Sequence, residues 1–377
     1  MAVHLSPVLA ELAQYPFARL DDWKADATGR GIELIDFGMG DPREVTPPFI
    51  REALIASVGE VSSYPRAPGL PELRRAVAEW IDRRFGVHVD PDTELVPTLG
   101  SKEAIYSFAQ IALGEKRLVA VPEPAYPVYE RGALFAGGSV VTVPLSERNG
   151  WLPDLDGFDA WDEIAVFWSC YPNNPTGAVA PLELYEELAE RAREHGFLLC
   201  SDEAYSELWF AVPPVSALQV HDRTNVVVFN TLSKRSSMTG YRSGFVCAPP
   251  EIVSALKRFR PTVGTAPQEF VQRASVAAWS DDRHVEDVRA LYRRKREALL
   301  PALLDKGLRL AGSEATFYLW VDVGGPSEDF ARRLLEHGIV VAPGSFFGPA
   351  GEGYARFALV PTQTECERAA AILREAL

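Results

Sequence analysis

Short, almost uninterrupted apolar runs alternate through the middle of this chain with longer runs in which apolar positions recur every three to four residues. RLVAVPE (117–123), SVVTVPL (139–145), IAVFWSC (164–170), FLLCSDE (197–203) and NVVVFN (225–230) are short, apolar and bounded by turn residues, which predicts strands. Between them PELRRAVAEWIDRRFG, SKEAIYSFAQIALG and PLELYEELAERAREHG have the helical period, the last opening beside Pro181 and stopping at Gly196. Strands and helices in such alternation predict an α/β fold with a largely parallel sheet. After about residue 285 the pattern changes to a long basic helix, VRALYRRKREALLPALLDKG, then to short strands and a final helix. That change predicts a second, smaller domain packed closely on the first, since no Gly/Ser linker or low-complexity tract separates them.

Bulk composition narrows the function classes. A chain of 377 residues with 47% hydrophobic and 24% charged residues can bury a substantial core. Its net charge of −14 argues against nucleic acid as a partner, although local basic residues can still collect a small anion. Cys170, Cys200, Cys247 and Cys366 are far apart and form no C-x-x-C pair, so a reduced, cytoplasmic setting is expected, with no zinc site or disulfide scaffold. The six histidines have no ligand spacing, so no metal is expected. No apolar run approaches membrane-spanning length, and Glu11 and Pro16 interrupt the N-terminal one, so neither a span nor a signal peptide is expected.

The unusual residues cluster where strands should end. Lys234 follows VVVFN and is in turn followed by Ser236, Ser237, Thr239, Gly240 and Arg242. Asp202 and Tyr205 close FLLCSDEAY, Asn174 lies in YPNNPTG after IAVFWSC, and Gly100, Ser101 and Lys102 lie between TELVPTL and a helix expected to begin near Glu103. Open α/β sheets bind ligands at the carboxyl ends of their strands, so one ligand could meet all four segments. A lysine amine kept near neutrality can form a Schiff base with a carbonyl. If that carbonyl belongs to pyridoxal phosphate, an acid such as Asp202 is needed for the pyridine nitrogen, and donors such as Asn174 and Tyr205 for the ring oxygen. The phosphate would want a helix start with hydroxyls and an arginine, which Gly100, Ser101, Thr231, Ser233 and Arg242 offer; Tyr126 in PEPAYPVY offers a face for the ring.

The ordered set DFGMGDP, YPRAPGLPELR, LGSKEAI, PEPAYPVY, YPNNPTG, SDEAY, TLSKRSSMTGYRSG and YARFALV resembles the class I/II aminotransferases, the fold-type I pyridoxal-phosphate enzymes, over nearly the whole chain. The resemblance implies a large domain at 46–285, with a mostly parallel seven-stranded sheet between helices, and a smaller α+β domain from 1–45 and 286–377. It implies that Lys234 carries the cofactor as a Schiff base and moves the substrate's α-proton, that Asp202 pairs with the pyridinium, and that Asn174 and Tyr205 bond the ring oxygen. Tyr126 would stack on the ring; Gly100, Ser101, Lys102, Thr231, Ser233 and Arg242 would surround the phosphate. Arg356 would fork the substrate's α-carboxylate near Gly38 and Asn174. Tyr64 would reach the phosphate site of a partner subunit in a homodimer.

Amino and keto acids are the implied small-molecule partners, one pair being glutamate and 2-oxoglutarate. A distal carboxylate needs a second cation, for which Lys102 is the first candidate and Arg43, Arg66 and Arg235 are others. Arg293, Arg294, Lys295 and Arg296 read as a solvated helix face, and Trp80, Trp161 and Trp279 as core or interface residues. The segments most resemble the succinyldiaminopimelate aminotransferase branch, which implies N-succinyl-LL-2,6-diaminopimelate and its 6-oxo counterpart in lysine biosynthesis. Aspartate, alanine, aromatic and LL-diaminopimelate aminotransferases, and a carbon–sulfur β-lyase of the same fold, remain alternatives. A DNA-binding regulator would need a fused helix-turn-helix, for which the chain has neither spare length nor a further basic segment, and FGMGDP is only half of a dinucleotide-binding glycine motif.

Overall fold

The computed structural model describes residues 4–12 and 15–376. Its central sheet has seven strands: β1 Leu95–Thr98, β2 Leu118–Glu123, β3 Ser139–Pro144, β4 Ile164–Cys170, β5 Leu198–Asp202, β6 Val226–Thr231 and β7 Gly244–Cys247. They lie in the order β1-β7-β6-β5-β4-β2-β3, parallel except for β7, which runs antiparallel to both neighbours. The apolar runs are unbroken because helices cover both faces of the sheet. In β6, Val226 and Val228 pack into one layer with Trp80, Phe167 and Trp279, whereas Val227 and Phe229 pack into the other with Phe108 and Trp168. Each such side chain contributes about 1.5–3 kcal/mol of burial. The expected strand positions hold to within a residue or two, and β7, in SGFVC, adds one that periodicity alone did not locate.

A second sheet, β8 Arg309–Leu310, β9 Tyr318–Asp322, β10 Ala342–Pro343 and β11 Tyr354–Ala358, is antiparallel in the order β10-β11-β9-β8. It shares a separate apolar cluster with the long helix Arg283–Asp305 and the final helix Gln363–Ala376, including Leu299, Leu319, Phe357 and Leu373. Near the N-terminus, Ile35–Asp36 pairs in parallel with Ile339–Val340. This pairing carries the next residues, Phe37 to Asp41, along the junction between the two sheets.

Two expectations need correction. The basic run on the long helix is not wholly solvated: Lys295 is fully buried and ion-paired with Glu44, and it also donates to the carbonyl of Leu359 at 3.2 Å. Burying an ammonium demands such partners, so the residue ties the long helix to the segment after Gly40. The helix after β1 begins at Gly100, three residues before the expected start. Trp80 and Trp279 are core residues, with ring centres 4.5 Å apart, and Trp161 is buried against Phe158 and Phe167. No helix among the described residues is long and apolar enough to cross a membrane.

Candidate active site

Strand ends and helix start converge on one cavity of about 440 Å³. The register puts Cys170 at the end of β4 beside Asp202 at the end of β5, and Asp202 beside Phe229 in β6, whose last residue, Thr231, leads into the one-turn helix Leu232–Arg235. Ser101, Lys102, Tyr126, Asn174, Asp202, Tyr205, Thr231, Ser233, Lys234, Arg242 and Arg356 all line the cavity. Gly38 joins them through its carbonyl, which accepts from Arg356 at 2.8 Å. Gly100 borders it with φ +73°, and a Cβ there would lie 2.7 Å from the Arg242 guanidinium, so only glycine lets that group close on the helix start.

Lys234 donates to the carbonyl of Gly40 at 2.6 Å. Burial pushes its amine down to about 8, helped by the guanidiniums of Arg356 and Arg242 and opposed by Asp41 and Asp202. The residue borders the cavity and is only partly buried as a whole; the enclosure of the amine nonetheless dominates. A free-base amine is therefore accessible near neutral pH, as a carbonyl reaction requires. Asp202 is buried, accepts from the Tyr129 hydroxyl at 2.8 Å and the Ala204 amide at 3.2 Å, and is raised by burial to about 6. An acid so enclosed is suited to pairing with a cation brought by a ligand.

At the other side, Arg356 is almost fully buried and donates to Asn174 Oδ1 at 2.8 Å. Its Nε has no hydrogen-bond partner among the described residues. Tyr318 lies beneath the guanidinium, 4.2 Å from ring centre to Cζ, and bonds Tyr205 hydroxyl to hydroxyl at 2.7 Å. Near the helix start, Thr231 Oγ1 and Ser233 Oγ are 2.9 Å apart, and Arg242 donates to the carbonyls of Thr239 and Leu99 at 2.8 and 3.1 Å. Lys102 is exposed at the rim, 5.7 Å from the ring centre of Tyr126 and 5.6 Å from that of Tyr15.

Some expected residues lie elsewhere. Arg235 is fully buried between Trp80 and Trp279 and bonds the Ala278 carbonyl at 3.0 Å, so it meets no substrate. Arg43 and Arg66 are exposed and do not line the cavity; Arg43 lies 4.0 Å from Asp36. Tyr64 is fully exposed and outside its own chain's cavity. Sequence reading missed Tyr129 as the partner of Asp202, and Tyr318, Tyr15 and Asp41 as lining residues. The three-residue spacing of Tyr126 and Tyr129 in PEPAYPVY was the available signal for the first.

Residues 32–373 match the family Aminotransferase class I and II. The chain belongs to that family. The LL-diaminopimelate aminotransferase of Aquifex aeolicus (strain VF5) is 41% identical over 372 residues, 96% of each chain. Among solved structures, aspartate aminotransferase from Thermus thermophilus with maleate is 30% identical and superimposes over all of both chains with a TM-score of 0.91. A probable N-succinyldiaminopimelate aminotransferase, also from Thermus thermophilus, is 33% identical, with a TM-score of 0.89 over 96% of this chain and 100% of that one. This aminotransferase is accordingly an enzyme dependent on pyridoxal 5′-phosphate. The site fits that group: a helix start with hydroxyls and a guanidinium suits its phosphate, a buried acid suits its ring nitrogen, and a depressed amine suits its carbonyl.

Proposed function

We propose that the enzyme transfers an amino group between LL-diaminopimelate and 2-oxoglutarate, with a role in lysine biosynthesis. The observation that carries a dicarboxylate substrate is that, besides Lys234 and Arg242, the same cavity is lined by two further cations, buried Arg356 and rim-placed Lys102. The relative at 41% identity, and another at 39% from Nitratidesulfovibrio vulgaris (strain DP4), are named LL-diaminopimelate aminotransferases, whereas the likeness to the N-succinyl enzyme is 33%. That ranking moves the reading from the succinylated substrate, expected from sequence, to the free diamino acid.

In this reading Arg356 forks the α-carboxylate, and Asn174 Oδ1 and the Gly38 carbonyl fix its orientation. Because Oδ1 faces Arg356, the Asn174 amide offers its NH₂ end to the ring oxygen, alongside the Tyr205 hydroxyl. Ser101, Thr231, Ser233 and Arg242 would hold the phosphate, Tyr126 would cover the ring, and Asp202 would stay ionised against its nitrogen. Pyridoxal phosphate, when bound, supplies the electron sink that makes an amino acid's Cα–H acidic. Lys234 Nζ then accepts that proton and returns it, a role that needs the amine as free base.

Purified holoenzyme with 2-oxoglutarate should form glutamate from LL-diaminopimelate with kcat/KM at least about tenfold above that for the N-succinyl derivative, because the pocket must favour one distal group. A preference for the succinylated acid would restore the substrate expected from sequence, and pyruvate release from a cysteine conjugate without amino transfer would favour the lyase.

The same reading includes a homodimer with shared sites. Val45, Ile55, Val58, Val61 and Tyr64 expose 76%, 70%, 59%, 84% and 100% of their surface in one stretch of chain, more apolar area than a solvent face needs. Light scattering should give twice the 41.5 kDa chain mass, and Tyr64→Ala should weaken cofactor retention roughly tenfold through one lost phosphate hydrogen bond. A monomer retaining cofactor normally would contradict this.

A further inference from the structure

Three side chains behind the lysine turn form a hydrogen-bonded chain that the reaction described above does not use. Ser236, two residues past Lys234, has its hydroxyl 2.8 Å from Nε2 of His284, whose Nδ1 lies 2.7 Å from Oδ1 of Asp281. A carboxylate only accepts, so Nδ1 carries the ring proton toward Asp281; a neutral ring then accepts the Ser236 hydroxyl at Nε2. Serine, histidine and aspartate in this order would suit acyl transfer, but Ser236 is 0% exposed and no substrate reaches it.

The chain's position suggests its use. Asp281 also accepts from the His284 backbone amide at 3.0 Å, at the start of the long helix Arg283–Asp305. Arg235, between Lys234 and Ser236, bonds the Ala278 carbonyl, the Asp281 carbonyl at 3.4 Å and Asp282 Oδ1 at 3.1 Å. Both residues after the lysine are thus fastened to segment 278–284, from which the long helix runs on to buried Lys295 and its partner Glu44.

We propose that Ser236, His284 and Asp281 form a positioning relay that fixes the one-turn helix bearing Lys234 to the start of the long helix. The inference rests on Lys234 as the cofactor lysine. Burial pulls the His284 pKa down and Arg235 adds to this, while Asp281 and Asp282 oppose it; Phe49, 5.5 Å away on the helix Pro48–Ala56, brings no charge. The ring is therefore neutral at working pH. On acidification its Nε2 gains a proton and donates to Ser236 Oγ where it had accepted, so the hydrogen bond reverses direction as pH falls below the ordinary histidine range.

The test uses holoenzyme carrying Ser236→Ala or His284→Gln. Expected is a kcat roughly tenfold lower with KM within about twofold, because the base is misplaced rather than the substrate loosened. The pH at which the lysine-linked visible band titrates should shift in both variants, and Ser236→Thr, which keeps the hydroxyl, should restore it. An intact wild-type band with kcat and band titration unchanged in Ser236→Ala would overturn the relay, whether or not His284→Gln folds. A band that survives Lys234→Ala would instead overturn the assignment of Lys234.

Discussion

Lys234→Ala is expected to lower turnover by roughly a thousandfold or more, since in the proposed function one residue supplies both the covalent anchor and the base for the α-proton. The substitution removes an enclosed amine that donates to the Gly40 carbonyl, so the fold should persist and some cofactor should still bind through the phosphate side of the site. Stopped-time assays with a thermal melt on the same sample check both halves. Activity within tenfold of wild type would remove Lys234 from the chemistry; Lys102, exposed at the rim beside Tyr126, would be the next amine to test.

Arg356→Ala is expected to reduce kcat/KM by a few hundredfold for amino and keto acids alike, corresponding to about 3 kcal/mol for losing a bidentate charge pair in an enclosed site. Arg356 is 2% exposed, its guanidinium held by Asn174 and Gly38 and backed by Tyr318, so its geometry is set before substrate arrives. Arg356→Lys should fall between, because a single ammonium keeps the charge but not the fork. Initial rates over a range of glutamate concentrations give the comparison; an unchanged KM in Arg356→Ala would mean that another group reads the α-carboxylate.

The parallel sheet was legible because each strand is buried on both faces, leaving unbroken apolar runs such as IAVFWSC. β7 was not, since four residues that include Gly244 and Cys247 carry no period long enough to see. Helix starts were blurred at Gly100, which opens the helix with a left-handed φ and packs against Arg242, far away in the chain. The residues that line the cavity were legible through their types and their places at strand ends, whereas their hydrogen-bond partners were not. Tyr129 and Tyr318 enter as partners only through the structure, where their hydroxyls meet Asp202 and Tyr205. Lys295 looked solvated because its neighbours are Arg293, Arg294 and Arg296, and only the packing of Glu44 against the long helix reveals its burial. Arg235 was misread for a similar reason, adjacency to Lys234 in sequence giving no sign that its side chain turns between Trp80 and Trp279. The contact between Ser236 and His284 joins residues 48 apart, beyond any local pattern.

Lys234 is the residue through which we propose that this chain holds pyridoxal phosphate. Borohydride reduction of the holoenzyme, followed by proteolysis and mass mapping, tests it directly. One phosphopyridoxyl group per chain is expected, on the peptide containing Lys234 and absent from the Lys234→Ala protein. A label on Lys102 or any other lysine, or no label after reconstitution with cofactor, would contradict it.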